Sequence, residues 1–152
     1  MAEGGSLKER LAEEMKDALR KGEKVRLGTL RLLSASVKNR EVELRREVTD
    51  EEFVEVAGRE VKRRNEALEA YEKAGREELA AKEREEREVL QTYLPEQLDD
   101  DQVRSLVDEA IASTGASGPK EMGKVMGYVM GKAKGRVDGG TVQALVRERL
   151  GA

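Results

Sequence analysis

The sequence contains no cysteine and no histidine. The first absence excludes disulfide bonds, thiolate nucleophiles and thiolate metal sites. The second removes the side chain that proteins most often use as a general base, a metal ligand or a pH switch. Aromatic residues make up only 3% of the chain, and there are only two prolines. These shortages favour a protein that works by contact, and we expect no catalytic residue, no cofactor and no metal ligand.

Long apolar runs are also missing, so the sequence predicts no membrane span and no membrane partner. The first six residues lack the basic segment and apolar stretch of a signal peptide, and we therefore expect a cytoplasmic protein. The net charge is −3, so the molecule as a whole does not attract nucleic acid. Any surface that binds an anion has to be a local patch.

Charged residues make up 40% of the chain, and the apolar 38% is mostly Leu, Val and Ala. This mixture is typical of long amphipathic helices. We predict an all-α, multihelical fold with an N-terminal helical hairpin or bundle in residues 1–95. A small three-helix subdomain follows in residues 96–152, because Pro95 ends a predicted helix.

Local signals mark several helix ends. Thr49 and Asp99 are typical N-cap residues, and Gly75 predicts a break. Glu and Arg alternate between Lys82 and Glu88, and we interpret this run as a solvated face with ion pairs one turn apart. A few polar residues lie on otherwise apolar helices, and the sequence leaves open whether they bond between helices or form a binding surface: Asn39, Arg40, Arg63, Arg64 and Asn65.

A four-residue repeat distinguishes the predicted helix from Met122 to Arg136. Residues four apart lie almost above one another on a helix. The repeat therefore predicts three slowly winding columns: Met122, Met126 and Met130 with Val125 and Val129 for the core; Gly123, Gly127 and Gly131; and Lys120, Lys124, Tyr128 and Lys132.

Each glycine inside a helix costs roughly 1 kcal/mol relative to alanine, so this column needs a physical reason. Either a neighbouring helix packs closely against the bare backbone, or a ligand approaches it. Basic residues outnumber acidic ones from Gly118 onward, which favours a polyanion as that ligand. The candidate RNA-binding residues are Lys120, Lys124, Gly127, Tyr128, Lys132, Lys134 and Arg136.

Two patterns resemble catalytic or metal sites. Ser117 and Lys120 have the Ser-x-x-Lys spacing of some acyl-transfer enzymes, but the companion motifs are missing and Ser117 lies where a turn residue belongs. Glu83 and Glu86 lie one turn apart, but no histidine completes a carboxylate-bridged metal site. We interpret both patterns as structural.

Several motifs together resemble the GatB/YqeY family, specifically the small stand-alone YqeY-like proteins. The resemblance covers nearly the whole chain, and Val137 departs mildly from the pattern because a smaller residue is typical there. The motifs occur in this order: Leu30–Ala35 with Asn39, Val61–Arg64, Gly75–Ala80, Tyr93–Leu98, Met122–Met126 and Lys134–Gly139.

The resemblance implies two all-helical subdomains, the second similar to the tail domain of the B subunit of the glutamine-dependent tRNA amidotransferase. That tail contacts tRNA, whereas the chemistry belongs to other domains. The resemblance therefore implies a non-catalytic module that binds tRNA or another RNA. Two alternatives stay open. One is an accessory factor in tRNA-dependent amidation, as a carbon–nitrogen ligase with glutamine as amido-N-donor and with an amidotransferase or aminoacyl-tRNA synthetase component as partner. The other is a protein–protein interaction module.

Overall fold

The computed structural model describes residues 6–151, and these form seven α-helices and one short 3₁₀ turn, which confirms the all-α prediction. The chain forms two compact units that divide between Leu94 and Pro95. None of the helices in residues 6–151 is long and apolar enough to cross a bilayer. The helices are α1 Leu7–Lys21, α2 Lys24–Leu44, α3 Asp50–Lys73, α4 Glu77–Gln91, α5 Asp100–Thr114, α6 Met122–Lys132 and α7 Gly139–Leu150.

The first unit consists of two antiparallel hairpins, α1 with α2 and α3 with α4. Arg26 of α2 reaches Asp17 of α1 at 3.1 Å, and Lys8 near the other end of α1 reaches Glu41 at 2.7 Å. These pairs connect the start of one helix to the end of the other, as an antiparallel arrangement requires. The largest fully buried side chains of this unit are Phe53, Leu30, Leu33 and Leu90.

The start of α3 shows how local sequence sets a helix end. The Thr49 hydroxyl accepts a hydrogen bond from the Glu52 N–H at 3.1 Å, and the Glu52 carboxylate accepts one from the Thr49 N–H at 2.9 Å. Arg46 also pairs with Glu52 and, as the larger cause, lowers the pKa of that carboxyl to about 2. At the other end of α3, Gly75 has a φ of +71°, which turns the chain into α4.

Tyr93 anchors the end of the first unit. Its side chain is buried, and its ring centroid lies 5.6 Å from that of Phe53. The Arg10 guanidinium lies 4.2 Å from the ring centroid, and the Tyr93 hydroxyl donates a hydrogen bond to Glu14. Burial is the largest cause that raises the pKa of Tyr93, so the phenol stays protonated and keeps donating. The tyrosine before Leu94-Pro95 therefore fastens this segment to α1.

A buried charge network lies between α3 and α4. Arg64 donates to Glu86 and to Glu60, each at 3.2 Å, and the three side chains are at most 11% exposed. Ser36 of α2 donates to the second oxygen of Glu60 at 3.2 Å. The network thus links three helices, and every charged member has an opposite charge beside it.

The predicted solvated face between Lys82 and Glu88 is therefore wrong at Glu86. This residue lies one turn before Leu90, and both side chains are buried where α4 packs on α3. Arg87 also points toward α3 and donates to Asn65 at 2.9 Å. Arg64 and Asn65 thus bond between helices, whereas Arg63 is 69% exposed and Asn39 is exposed.

The second unit packs α5, α6 and α7 around one small core. Asp99 and Gln102 form a reciprocal capping box at the start of α5, and Asp138 caps α7. Helix α6 ends at Lys132, so the predicted extension to Arg136 is wrong. Gly135 has a φ of +76°, which is outside the helical region. The core consists of Val103, Val107, Ala110, Ala116, Val125, Val129, Val142, Val146 and Leu150.

We expect Arg64→Ala to lower the free energy of unfolding by about 3 kcal/mol, because it removes the one buried cation that Glu60 and Glu86 share and leaves each carboxylate with only an exposed cation, Arg63 or Lys82. Arg63→Ala is the matched control, since Arg63 binds the same Glu60 from an exposed position and should contribute about 0.5 kcal/mol. Urea unfolding followed by circular dichroism measures both. Equal losses in the two variants would contradict the role given to the buried network.

Candidate functional site

One face of helix α6 packs on the core of the second unit, and the opposite face is exposed. Val125 and Val129 are fully buried, and Ala133, the residue after the helix, continues their column. The methionines are half-buried beside this column, so they pack around the core as predicted but are not its centre. Residues two positions apart lie about 200° around a helix from each other, which places Gly127 almost opposite Val125.

The three glycines lie on that outer face. Gly123, Gly127 and Gly131 are exposed, and a Cβ atom added to any of them would have nothing within 4 Å. Within residues 6–151, no neighbouring helix packs against this bare backbone. Close packing inside the chain, the first explanation for the repeat, is therefore wrong for the part of the chain that the structure describes.

Lys120 and Lys124 lie at the beginning of this face. Lys120 belongs to the 3₁₀ turn Pro119–Glu121, and Lys124 follows one helical turn later. Both are exposed, and neither has a hydrogen bond or an ion pair with another residue of the described chain. Two unpaired cations one turn apart provide a local positive charge on a molecule that is negative overall.

Tyr128 and Lys132 bind a carboxylate. The Tyr128 hydroxyl and the Lys132 ammonium each donate to the same oxygen of Glu109, on α5, at 2.8 Å. The ammonium also lies 4.9 Å from the centroid of the Tyr128 ring. Lys132, followed by Tyr128, lowers the pKa of Glu109, and Glu109 in turn raises the pKa of Lys132. These two predicted site residues therefore converge on one anionic oxygen.

Arg136 has a structural partner. Its Nε donates to the carbonyl of Glu96 at 2.9 Å, and its own carbonyl accepts from the Leu98 N–H at 2.9 Å. Gln97 donates to the Gly135 carbonyl at 2.7 Å. The segment before α5 is thus fastened to the turn after α6. Lys134, in that turn, is exposed and also interacts with another group.

An open groove of about 470 Å³ lies between α5 and the end of α6. Lys132 and Arg136 contribute positive charge to its wall, and Glu109 contributes negative charge. The remaining lining residues are Leu98, Asp101, Gln102, Ser105, Leu106 and Ala133. The structure therefore separates the predicted site residues: Lys120, Lys124 and Gly127 lie on the exposed face of α6, and Lys132 and Arg136 line the groove. Tyr128 contacts the groove residue Glu109, and Lys134 belongs to neither group.

Sequence reasoning missed Glu109 and Gln97. Glu109 is one of several acidic residues on α5, and nothing in its spacing distinguishes it. Gln97 belongs to the Tyr93–Leu98 motif, but its partner is a backbone carbonyl 38 residues away. Neither pairing has a local sequence signal.

The two catalytic or metal patterns have structural partners. The backbone N–H and the hydroxyl of Ser117 donate to one Glu121 oxygen at 3.2 and 3.3 Å, which is the geometry of a turn residue. Glu86 is bound by Arg64. No group of three or more acidic side chains that could hold a metal occurs in residues 6–151.

A family model described as "Yqey-like protein" matches residues 8–150, which is nearly the whole chain and includes all seven helices except the first residue of α1. A search of curated proteins finds no match. The matched range extends over most of both compact units and contains every candidate residue of α6 and the turn after it.

The first prediction from this site concerns the pKa of Glu109, which should lie below its ordinary value of about 4.3. Lys132→Met should raise this pKa toward the ordinary value, and Tyr128→Phe should raise it less, because Lys132 is the larger cause. Since the folded-state pKa is depressed, the pair's stabilisation is present above the ordinary pKa and is lost as pH falls through the depressed one. NMR titration of the carboxyl carbon measures the shift. No change in Lys132→Met would contradict the pairing.

The second prediction concerns the cost of the glycine column. Gly127→Ala should raise the free energy of unfolding by about 1 kcal/mol, because helix propensity improves and the added methyl meets no neighbour. Thermal unfolding measures the effect. Gly75→Ala is the contrasting control, since its φ of +71° makes alanine strained and the variant less stable. A destabilised Gly127→Ala would show that this face is packed.

Proposed function

The chain belongs to the family of YqeY-like proteins, and on that premise we propose that it is a non-catalytic helical module that binds RNA through the outer face of α6. We take tRNA as the preferred RNA, because the sequence resemblance to the GatB/YqeY family implies a similarity of the second subdomain to the tRNA-contacting tail of the amidotransferase B subunit. One observation carries the proposal: the exposed glycine column has no packing partner in residues 6–151 and stands beside unpaired lysines.

The glycine column suits a close approach of a sugar–phosphate backbone. A side chain at Gly127 would hold a ligand away from the helix, whereas hydrogen atoms alone let it approach the peptide groups. Lys120 and Lys124 supply charge at the same face, and phosphate contacts by lysine are independent of base sequence. This combination favours recognition of an RNA backbone and its shape.

In this proposal, Glu109 competes with the RNA phosphates for the Tyr128 hydroxyl and the Lys132 ammonium. Its carboxylate holds the Tyr128 hydroxyl and the Lys132 ammonium together, so these two donors are already arranged around an anion. A phosphate oxygen can replace the carboxylate oxygen, and the two donors then need little rearrangement. The same carboxylate repels phosphate when it stays, so it limits affinity.

Charge reversal at the open face tests the proposal. Lys120→Glu with Lys124→Glu should weaken tRNA binding at least about tenfold at ~50 mM salt and should reduce the slope of log affinity against log salt by about 1.4–1.8. Filter binding or fluorescence anisotropy at several salt concentrations measures both. The matched control, Arg59→Glu with Lys62→Glu on the exposed face of α3, makes the same charge change and should have a much smaller effect.

Two further variants sharpen this test. Glu109→Gln should strengthen binding a few fold at low salt, because it removes a repulsive charge and releases Lys132. Gly127→Leu should weaken tRNA binding. Gly28→Leu is the control: Gly28 also has open space around it but lies on α2, so this change should leave tRNA binding unaltered. No measurable tRNA binding by the unmodified chain at ~50 mM salt would refute the proposal, since backbone contacts are strongest there.

The alternatives give different results in the same experiments. A nuclease-resistant complex with a protein that is lost in Gly127→Leu would identify the glycine column as a protein-docking surface. Glutamine-dependent amidation of misacylated tRNA, measured with the chain added or omitted, tests the accessory role. Stimulation that survives Lys120→Glu with Lys124→Glu would separate that role from RNA binding at α6.

A further inference from the structure

Helix α2 exposes a seam of the kind that packs in coiled coils. The exposed positions Gly28, Leu32, Ala35, Asn39 and Val42 follow one another at intervals of four, three, four and three residues. This alternation is the heptad spacing that keeps side chains on one side of a helix. Leu32 is 52% exposed and Val42 is 76% exposed, although both are large and apolar.

A basic row runs beside this seam. Lys24, Arg31 and Lys38 are spaced by seven residues, which places them along one flank of the seam. All three are exposed, and within the described residues none has a hydrogen bond or an ion pair; Lys38 has only a longer-range attraction to Glu41, whose pKa it helps to lower after Lys8 and the Val48 N–H. On the other flank, Glu43 pairs with the half-buried Arg40, 3.8 Å away.

From this juxtaposition we infer that α2 docks an amphipathic helix of another protein, with an apolar heptad seam and acidic flanking residues. The acidic flank is required because charges beside a coiled-coil seam determine the choice of partner. The seam from Gly28 to Val42 is about 21 Å long and accommodates about two heptads. This inference is independent of RNA binding, which involves the other unit.

A second copy of the chain fits this surface less well. In an antiparallel pair the two basic rows would face each other and repel. In a parallel pair each basic row would face Thr29, Ser36 and Glu43 of the other copy, where Thr29 is buried and Glu43 is already paired. Neither arrangement neutralises the row, whereas a helix with glutamates beside its seam does.

Asn39 adds a constraint on the partner. It occupies a seam position, where burial of an unpaired amide is costly. A polar residue opposite it satisfies the amide and fixes the register, as single polar seam residues do in coiled coils. The partner helix therefore has one polar residue opposite Asn39 in an otherwise apolar seam.

Two designed peptides of about three heptads test the inference. Both have a Leu and Ala seam with one Asn placed to lie opposite Asn39; one has Glu on its flanks and the other has Lys. Fluorescence anisotropy with the full chain should show that the Glu peptide binds at least about tenfold more tightly. Arg31→Glu with Lys38→Glu should reverse this preference, because the charge of the flank changes sign.

Matched variants control for charge and for lost apolar surface. Arg59→Glu with Lys62→Glu on α3 gives the same charge change and should keep the preference for the Glu peptide. Leu32→Ser should weaken binding about tenfold. Leu19→Ser removes a leucine that is 61% exposed on α1 and should leave binding unchanged.

Three outcomes would overturn the inference. One is equal affinity for the two peptides, and another is no binding of either at about 100 µM. The third is a dimer of the chain, detected by sedimentation velocity and lost in Leu32→Ser, because a second copy would then occupy the seam. A reversed preference in Arg31→Glu with Lys38→Glu, together with the Leu32→Ser loss, supports it.

Discussion

The second unit depends on one geometric constraint: a four-residue repeat on a helix that turns once every 3.6 residues. Over the 11 residues of α6, the mismatch is small enough for each column to keep one role. The valines stay in the core, and the glycines stay on the opposite face. A much longer helix would rotate the glycines toward the core, so the end of α6 at Lys132 preserves the division between packing and exposed backbone.

Helix ends can be predicted from the sequence where the residues that determine them are close together in the chain. Thr49 and Asp99 cap their helices through residues three positions away, and Gly75 turns the chain by its own conformation, so each signal lies within a few residues. Glu86 is different, because its burial depends on Arg64, which is 22 residues away on another helix. A charged run looks the same whether one member faces water or a buried arginine.

The candidate site likewise has features that follow from local sequence and features that depend on contacts between helices. The glycine column and the charge of Lys120 and Lys124 follow from spacing along one helix. The pairing of Tyr128 and Lys132 with Glu109 depends on how α6 lies against α5, and no local pattern indicates it. The predicted helix extended too far for a related reason: Lys134-Gly135-Arg136 continues the repeat in sequence, but Gly135 adopts a left-handed conformation.

The buried network in the first unit determines more than stability. An apolar interface between α3 and α4 would tolerate sliding, because one row of apolar side chains resembles the next. A shift by one turn, about 5.4 Å, would separate Arg64 from Glu86 and leave the buried Glu86 carboxylate with only the exposed Lys82 of its own helix. The buried charges therefore favour one register of the hairpin that α3 and α4 form over registers shifted by one turn.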